Sequence, residues 1–189
     1  DEELLDLAVR AQLRDPAVLE RQVQRMLADP RSSALVENFT SQWLTVRKAQ
    51  VWQPDPDQFP DFDENLRNAM IEETRMFINS QFREDRSILE LLSSNYTFVN
   101  ERLARHYGIP DIYGERFRRI TFTDGLRGGL LGQGSVLMVT SYPNRTAPVA
   151  RGVWLLDNIL GMPPPPPPDS VPDLEPTHED GRALTMREQ

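Results

Sequence analysis

Residue types that commonly build reactive sites are scarce in this sequence. Among its 189 residues there is no cysteine, and the only histidines are His106 and His178. A chain without cysteine can form neither a disulfide nor a thiolate metal site. Two imidazoles leave little from which to assemble a zinc site or a Ser-His-Asp triad. We expect His106, in the last turn of a predicted helix, to be a cation favoured by the helix dipole.

Long apolar runs are also missing. No stretch approaches the roughly 20 apolar residues needed to cross a bilayer, and no apolar segment after a charged start marks a signal peptide. The chain begins at Asp1 without methionine, and 185–188 read Thr-Met-Arg-Glu, a capping box with no helix after it. We therefore interpret both ends as cuts in a longer polypeptide.

Charge of one sign dominates the chain but is unevenly spread. The formal net charge is −8 and the pI is near 4.8. Residues 1–100 hold 11 basic and 18 acidic side chains, whereas 101–151 hold 8 arginines and 4 acids. The acidic total argues against a nucleic-acid partner or an anionic membrane surface. Partners are expected to be another protein or other domains of the same polypeptide.

Three arginines in the positive middle of the chain are candidate partner-binding residues. Arg116, Arg118 and Arg119 lie among aromatic residues, which is the composition of a nucleic-acid surface. Because the rest of the molecule is acidic, we favour an internal or inter-subunit charge match for them.

Apolar residues recur at helical spacing through the first hundred positions. This periodicity, together with capping residues, predicts helices at about 4–13, 16–28, 31–46 and 61–83, and shorter ones after Ser87 and from Thr97 to Gly108. The proline-rich, acidic segment 50–60 reads as an ordered connector. Glu72 and Glu73 are adjacent on the longest helix, but no Glu-x-x-His repeat accompanies them, so a solvated face is favoured over half of a di-iron site.

From position 109 the sequence changes character. Turn signals surround 116–122, whose alternation predicts a short strand or extended segment. The glycine-rich stretch 125–134 has neither a P-loop ending nor a Gly-x-Ser-x-Gly elbow around Ser135. Close packing of a following helix at 135–139 is therefore favoured over phosphate binding or a serine nucleophile.

The segment 140–168 reads as a loop, a capped helix at 147–160 and a polyproline arm at 163–168. We expect Thr146 to cap the helix, Pro148 to lie in its first turn and Gly161 to stop it. Six residues predict a broad apolar face packed against the protein: Val149, Val153, Trp154, Leu156, Ile159 and Leu160. The arm should span roughly 19 Å as polyproline II, and a rigid spacer or strap is favoured over a ligand for an SH3-like groove.

The loop before this helix supplies three more candidate partner-binding residues: Asn144, Arg145 and Arg151. A guanidinium fork suits carboxylates and backbone carbonyls. Hydrogen bonds that fix the loop are the favoured interpretation, and contact with a ligand or partner is the alternative.

Ordered sequence blocks across nearly the whole chain resemble a known family. The first is Thr-Ser-x-Pro-x-Arg-Thr-x-Pro-Val-x-Arg-Gly-x-Trp at 140–154, followed by Leu-Gly-x and six prolines. The others are found at 25–31, 39–44, 59–60 and 96–104. Together they resemble the tandem uncharacterised domains of planctomycete-type exported proteins associated with cytochrome c.

The resemblance implies a large, modular protein of the periplasm or cell surface, with haem c attached elsewhere in the full-length chain. This chain itself binds no haem covalently, because it has no Cys-x-x-Cys-His motif. His106, Met138 or Met162 could approach such a haem, and Arg145 and Arg151 could bind its propionates. The family has no established catalytic residue that could be assigned to a position of this sequence.

We predict a mainly α fold in two parts. A multi-helix, bundle-like domain at 1–108 is followed at 109–189 by a smaller helix-plus-loop subdomain with one short extended segment and the polyproline II arm. The leading functional hypothesis is a non-catalytic scaffold or docking module in an electron-transfer context. The alternatives are a substrate-cleft part of a larger oxidoreductase or hydrolase, and an accessory subunit of a membrane electron-transfer complex.

Overall fold

The computed structural model describes residues 1–123, 125, 127–165, 178–179 and 182–183. The fold is mainly α-helical, which confirms the predicted class. Its helices are α1 (Glu2–Val9), α2 (Pro16–Ala28), α3 (Ser33–Leu35), α4 (Ser41–Trp43), α5 (Glu64–Arg83), α6 (Glu90–Ser93), α7 (Glu101–Tyr107), α8 (Gly134–Val139) and α9 (Pro148–Asn158). A π-helical turn (Val36–Thr40) joins α3 to α4, and 3-10 turns cover Gln12–Arg14, Pro30–Ser32, Val46–Gln50 and Leu130–Gly132.

Helix α5 is the central element, and helices α7 and α8, strand β1 and the π-helical turn all contact it. Asp63 begins it by accepting a hydrogen bond from the Leu66 amide at 2.6 Å. Its buried apolar side chains lie at helical spacing along one side: Leu66, Ala69, Met70, Phe77 and Ile78. The predicted helix at 61–83 is therefore confirmed, with its first turn beginning three residues later.

The N-terminal helices follow their local capping signals. Asp15 accepts a hydrogen bond from the Ala17 amide at 2.9 Å, Pro16 lies in the first turn, and α2 ends before Asp29 as predicted. The first helix is shorter than predicted, because the chain turns through Ala11 at a φ of 58° into a separate 3-10 turn.

The predicted continuous helix at 31–46 is wrong in its middle. The π-helical turn adds a residue to one turn and thereby rotates the downstream face. Val36 and Leu44 are buried, whereas Leu35 and Phe39, which belong to the same helically spaced apolar set, are 46% and 47% exposed.

A two-stranded antiparallel sheet lies beside α5. Strand β1 (Tyr96–Val99) pairs with β2 (Arg118–Thr121), which confirms the predicted extended segment. The predicted cap at Thr97 is wrong, since Thr97 lies within β1. Asn100 caps α7 instead, accepting a hydrogen bond from the Leu103 amide at 3.0 Å, and Gly108 ends that helix as predicted.

The last described helices lie near their predicted positions. Helix α8 begins one residue earlier than predicted. Helix α9 starts at Pro148, but Thr146 does not cap it; the N-cap residue is Ala147, and no side chain fills that role. Residues 163–165 are neither helix nor strand, and the rest of the predicted arm, 166–168, lies outside the described residues. Strands β3 (His178–Glu179) and β4 (Arg182–Ala183) form a short antiparallel pair.

One buried cluster draws on both predicted parts of the chain. It includes Phe77 and Leu103 from the first part, and Val136, Met138 and Trp154 from the second. The division at 108 and 109 thus stays a prediction. Within the described residues, no helix is long and apolar enough to span a bilayer.

Candidate functional site

Asn144 and Arg145 lie in an exposed tight turn. The Tyr142 amide donates to the Arg145 carbonyl at 2.9 Å, and the Arg145 guanidinium lies 5.3 Å from the centre of the Tyr142 ring. The turn contacts the acidic connector, because the Asp55 amide donates to the Pro143 carbonyl at 2.9 Å. Asn144 and Arg145 therefore remain available to a partner, and a partner-binding role for them stays a prediction.

Arg151 points back from α9 into the preceding loop. Its Nε donates to Thr140 Oγ1 at 3.2 Å, and its Nη2 donates to Ser141 Oγ at 3.3 Å. Thr140 is buried and in turn donates to the Val136 carbonyl at 2.7 Å. Arg151 thus fixes the loop between α8 and α9, which is the role favoured for it on sequence grounds.

The three candidate arginines in and just before strand β2 have different surroundings. Arg119 pairs with Glu84 at 3.0 Å and stacks over the Tyr96 ring at 3.6 Å, so it makes the internal charge match that the sequence favoured. Arg118 donates to the Tyr113 carbonyl at 2.5 Å, and Arg116 is exposed. Their role towards a partner stays a prediction.

Glu73 lies at the centre of a buried polar cluster. Its side chain is 1% exposed, so the solvated face predicted for it is wrong. Oε1 accepts a hydrogen bond from the Thr97 hydroxyl at 2.7 Å, and Oε2 accepts from the Tyr107 hydroxyl at 2.6 Å and the Gly134 amide at 3.3 Å. These four residues belong to α5, β1, α7 and α8, which the carboxyl group ties together.

Burial sets the protonation of this cluster. It raises the pKa of Glu73 to about 7, against the opposing effects of the Tyr107, Thr97 and Gly134 hydrogen bonds and the Arg127 charge. Burial and the neighbouring carboxyl group also raise the pKa of the Tyr107 hydroxyl well above its ordinary value. The Arg127 guanidinium lies 4.1 Å from the centre of the Tyr107 ring. The cluster can therefore hold or release one proton near neutral pH in a place that solvent hardly reaches.

His106 borders this cluster, with its ring centre 5.7 Å from that of Tyr107. Burial, followed by the charges of Arg102 and Arg127, lowers the pKa of His106. The expected cation at the helix end is therefore wrong as an account of His106, because desolvation and nearby guanidinium groups outweigh the helix dipole.

The sequence contains a signal for the burial of Glu73. Met70, Glu73 and Phe77 follow one another at i, i+3 and i+7, so the acid lies on the apolar side of α5. Glu72 lies outside this stripe and forms an ion pair with Arg75. Spacing alone thus distinguishes the two adjacent carboxylates.

Helix α9 presents its apolar residues on two sides. Trp154 is 7% exposed and donates from Nε1 to Thr45 Oγ1 at 3.2 Å, and Trp43 Nε1 donates to the Asn158 carbonyl at 2.5 Å. On the opposite side, Val149 and Val153 are 80% and 38% exposed, and Leu160 just beyond the helix is 54% exposed. The predicted packing of the whole apolar face is therefore wrong. We call the row formed by the exposed Val149, Val153 and Leu160 and the half-buried Leu156 the α9 stripe.

No metal centre is visible in the described part of the chain, where no three His, Asp or Glu side chains are grouped closely enough to hold an ion.

The fold and these contacts define a mainly α-helical protein whose residues 1–109 and 127–165 are joined through buried side chains. Comparison with known families matches residues 1–109 to PSD4, Protein of unknown function (DUF1592), and residues 127–189 to PSCyt3, Protein of unknown function (DUF1588). The chain therefore belongs to the DUF1592 family, whose model matches more than half of it. Both names denote planctomycete cytochrome-c-type domains, which confirms the resemblance. No curated protein and no solved structure matches the chain.

Proposed function

We propose that this chain is a non-catalytic docking or scaffold module of a larger exported protein associated with c-type cytochrome. In this role it holds haem-bearing domains, or a redox partner, in position for electron transfer. The family names supply the cytochrome context, and the α9 stripe is the observation that carries the docking role.

The α9 stripe has the geometry of a helix face that packs against something. Val149, Val153 and Leu156 recur at i, i+4 and i+7, and the exposed side chain of Leu160 extends the row. A helix that faces water on one side normally carries polar residues there. A row of this kind fits a groove or helix of another domain.

Charge supports a protein as the occupant of the stripe. The net charge of −8 repels nucleic acid and anionic lipid. The chain lacks cysteine, so the haem group of the proposed assembly is attached to another part of the full-length polypeptide. A periplasmic or cell-surface location follows from the same family context and belongs to this proposal.

The substrate-cleft alternative has less support. Arg145 stacks on Tyr142, while Arg151 donates into the loop at Thr140 and Ser141, so their guanidinium groups do not converge on one point. The accessory-subunit alternative has no specific observation in its favour.

The first test is the intact mass and absorption spectrum of the natively isolated protein. We expect a mass well above the 21.7 kDa of this chain, together with a c-type haem spectrum. A haem-free species of 21.7 kDa would overturn the cytochrome context.

The second test concerns the stripe itself. In the full-length protein, Val149→Asp with Val153→Asp should increase hydrogen exchange in the domain that α9 contacts, because a charged stripe no longer packs there. The matched control is Leu5→Asp with Val9→Asp, a pair on α1 with the same i, i+4 spacing and exposures of 65% and 80%. Equal effects of the two pairs would contradict docking through α9.

A further inference from the structure

A groove of about 680 Å³ lies between the outer side of α5 and the segment that leads from α7 to β2. Asn65, Asn68 and Glu72 line it from α5, where their spacing of i, i+3 and i+7 places them on one side of the helix. Asn65 and Asn68 are exposed and Glu72 is half-buried, so solvent reaches all three side chains. The volume lies within the range of small-molecule sites, roughly 300–1,000 Å³.

The opposite wall of the groove is fixed by Glu101, in the first turn of α7. The Glu101 amide donates to the Gly114 carbonyl at 3.0 Å, and Glu101 Oε2 accepts a hydrogen bond from the Gly114 amide at 2.7 Å. These two bonds fasten the loop before β2 to α7. The same loop brings the half-buried aromatic ring of Phe117 to the groove. A wall that is ordered before a ligand arrives lowers the cost of binding.

The charged side chains of the groove already have partners. Three ion pairs involve its lining: Glu72–Arg75, Arg105–Glu101 at 2.8 Å and Arg102–Asp63 at 3.0 Å. An ionic ligand of either sign would have to compete with one of these pairs. By contrast, the side-chain amides of Asn65 and Asn68 form no hydrogen bond within the described part of the chain. The groups that are free to bind a ligand are therefore neutral.

These free groups match the chemistry of a sugar. Each asparagine amide offers an acceptor oxygen and two N–H donors. The hydroxyl groups of a sugar ring likewise both donate and accept, and the C–H groups of the ring form apolar faces that pack against an aromatic side chain. Asn65 and Asn68 on one wall and Phe117 on the other supply both kinds of contact.

We infer that this groove binds a neutral oligosaccharide. Asn65 and Asn68 form hydrogen bonds with its hydroxyl groups, and Phe117 packs against the face of one sugar ring. The inference goes beyond the docking role proposed for α9, whose stripe is formed by other residues, and either one can fail without the other.

The test titrates four neutral trisaccharides, cellotriose, maltotriose, laminaritriose and mannotriose, into the 189-residue chain and follows amide chemical shifts by NMR. At least one should give saturable shifts at Asn68, Glu101 and Phe117, with a Kd of about 1 mM or tighter. Sorbitol at equal hydroxyl concentration has no ring face and should give no saturable shift. Trigalacturonate should bind at least about tenfold more weakly than the best neutral sugar, because its carboxylates meet the acids of the groove. Saturation by none of the four, or an equal response to sorbitol or trigalacturonate, would overturn the inference.

Variants assign the binding to the groove. Asn68→Ala should lower the affinity for the best trisaccharide at least about fivefold, because one hydrogen-bonding group is lost. Phe117→Leu keeps an apolar side chain but removes the flat ring, and it should weaken binding by a similar factor. Asn95→Ala removes an exposed asparagine that does not line the groove and is the matched control. Amide spectra away from the groove show whether each variant keeps the fold. Unchanged affinity in both Asn68→Ala and Phe117→Leu would refute the site.

Discussion

Tyr107 donates its hydroxyl hydrogen to Glu73 Oε2 at 2.6 Å, and its oxygen accepts the Gly134 amide hydrogen at 2.8 Å. Glu73 and Tyr107 belong to the segment that matches DUF1592, whereas Gly134 belongs to the segment that matches DUF1588. A second link joins the same segments, since the Thr74 and Ser135 hydroxyl groups lie 2.5 Å apart. The two family segments therefore share a buried hydrogen-bond network, which couples their stabilities.

The stability of the protein should fall as the pH rises from about 4.5 to about 7, by about 3 kcal/mol from Glu73 alone. Below this range Glu73 is protonated in both states. Within it, the unfolded chain ionises while the folded state keeps the proton, because burial raises the pKa of Glu73. Glu73→Gln keeps an uncharged side chain and should remove this slope from denaturant-unfolding free energies measured between pH 4 and 8.

The quantity to compare is the difference in unfolding free energy between the parent protein and Glu73→Gln at each pH. The lowered pKa of His106 has the opposite effect, since its stability contribution grows as the pH rises towards its ordinary value of 6.5. This contribution is common to the parent protein and to Glu73→Gln and largely cancels. A difference that does not change with pH would contradict the assignment of a raised pKa to Glu73.

Tyr107→Phe should cost about 1–3 kcal/mol of unfolding free energy. The substitution removes the hydrogen bonds that the Tyr107 hydroxyl makes with Glu73 Oε2 and with the Gly134 amide. It should also raise the pKa of Glu73 further, because the Tyr107 hydroxyl stabilises the ionised carboxylate. Tyr113→Phe is the control, because Tyr113 is 71% exposed and should change stability by less than about 0.5 kcal/mol. Urea unfolding of both variants tests this. Equal losses would argue against the buried network.

Two glycine substitutions should have opposite effects. A Cβ atom at Gly129 would lie 2.5 Å from the Leu92 carbonyl oxygen, at a φ of +54°, so Gly129→Ala should destabilise by about 3 kcal/mol or more. At Gly152, within α9, a Cβ atom meets nothing within 4 Å, so Gly152→Ala should stabilise by about 0.5–1 kcal/mol. Thermal unfolding measures both. Tolerance of alanine at Gly129 would refute the close approach of its loop to α6.

Trp154 anchors α9, and Trp154→Ala should cost about 3–5 kcal/mol. The amides of α9 should then exchange hydrogen faster than those of α5, because the indole is the buried side chain of that helix. Val149→Ala on the exposed side should cost less than about 0.5 kcal/mol. If α9 stayed protected in Trp154→Ala, another contact would have to hold it.

Much of the fold could be predicted because its signals are local. Asp15 and Pro16 placed the start of α2, Gly108 placed the end of α7, and alternation placed the strand at Arg118–Thr121. The errors came where two local signals compete. Thr97 has a hydroxyl group that can cap a helix, but its β-branched side chain and its pairing with Ile120 of β2 place it in a strand.

The candidate site could be predicted only in part. Arg151 was expected to fix its loop and does so through Thr140 and Ser141. The π-helical turn at Val36–Thr40 was not predicted, and its extra residue changes which side of the helix faces α5.

The sequence by itself determined the helical class, the family and most helix ends, because caps, prolines and glycines act on neighbours within about one turn. Only the tertiary structure decided that Glu73 is buried and that half of the apolar face of α9 is exposed. The partners of Glu73 are 24, 34 and 61 positions away in the chain. Desolvation depends on what the folded chain brings to a side chain, and periodicity records only which side of a helix the residue occupies.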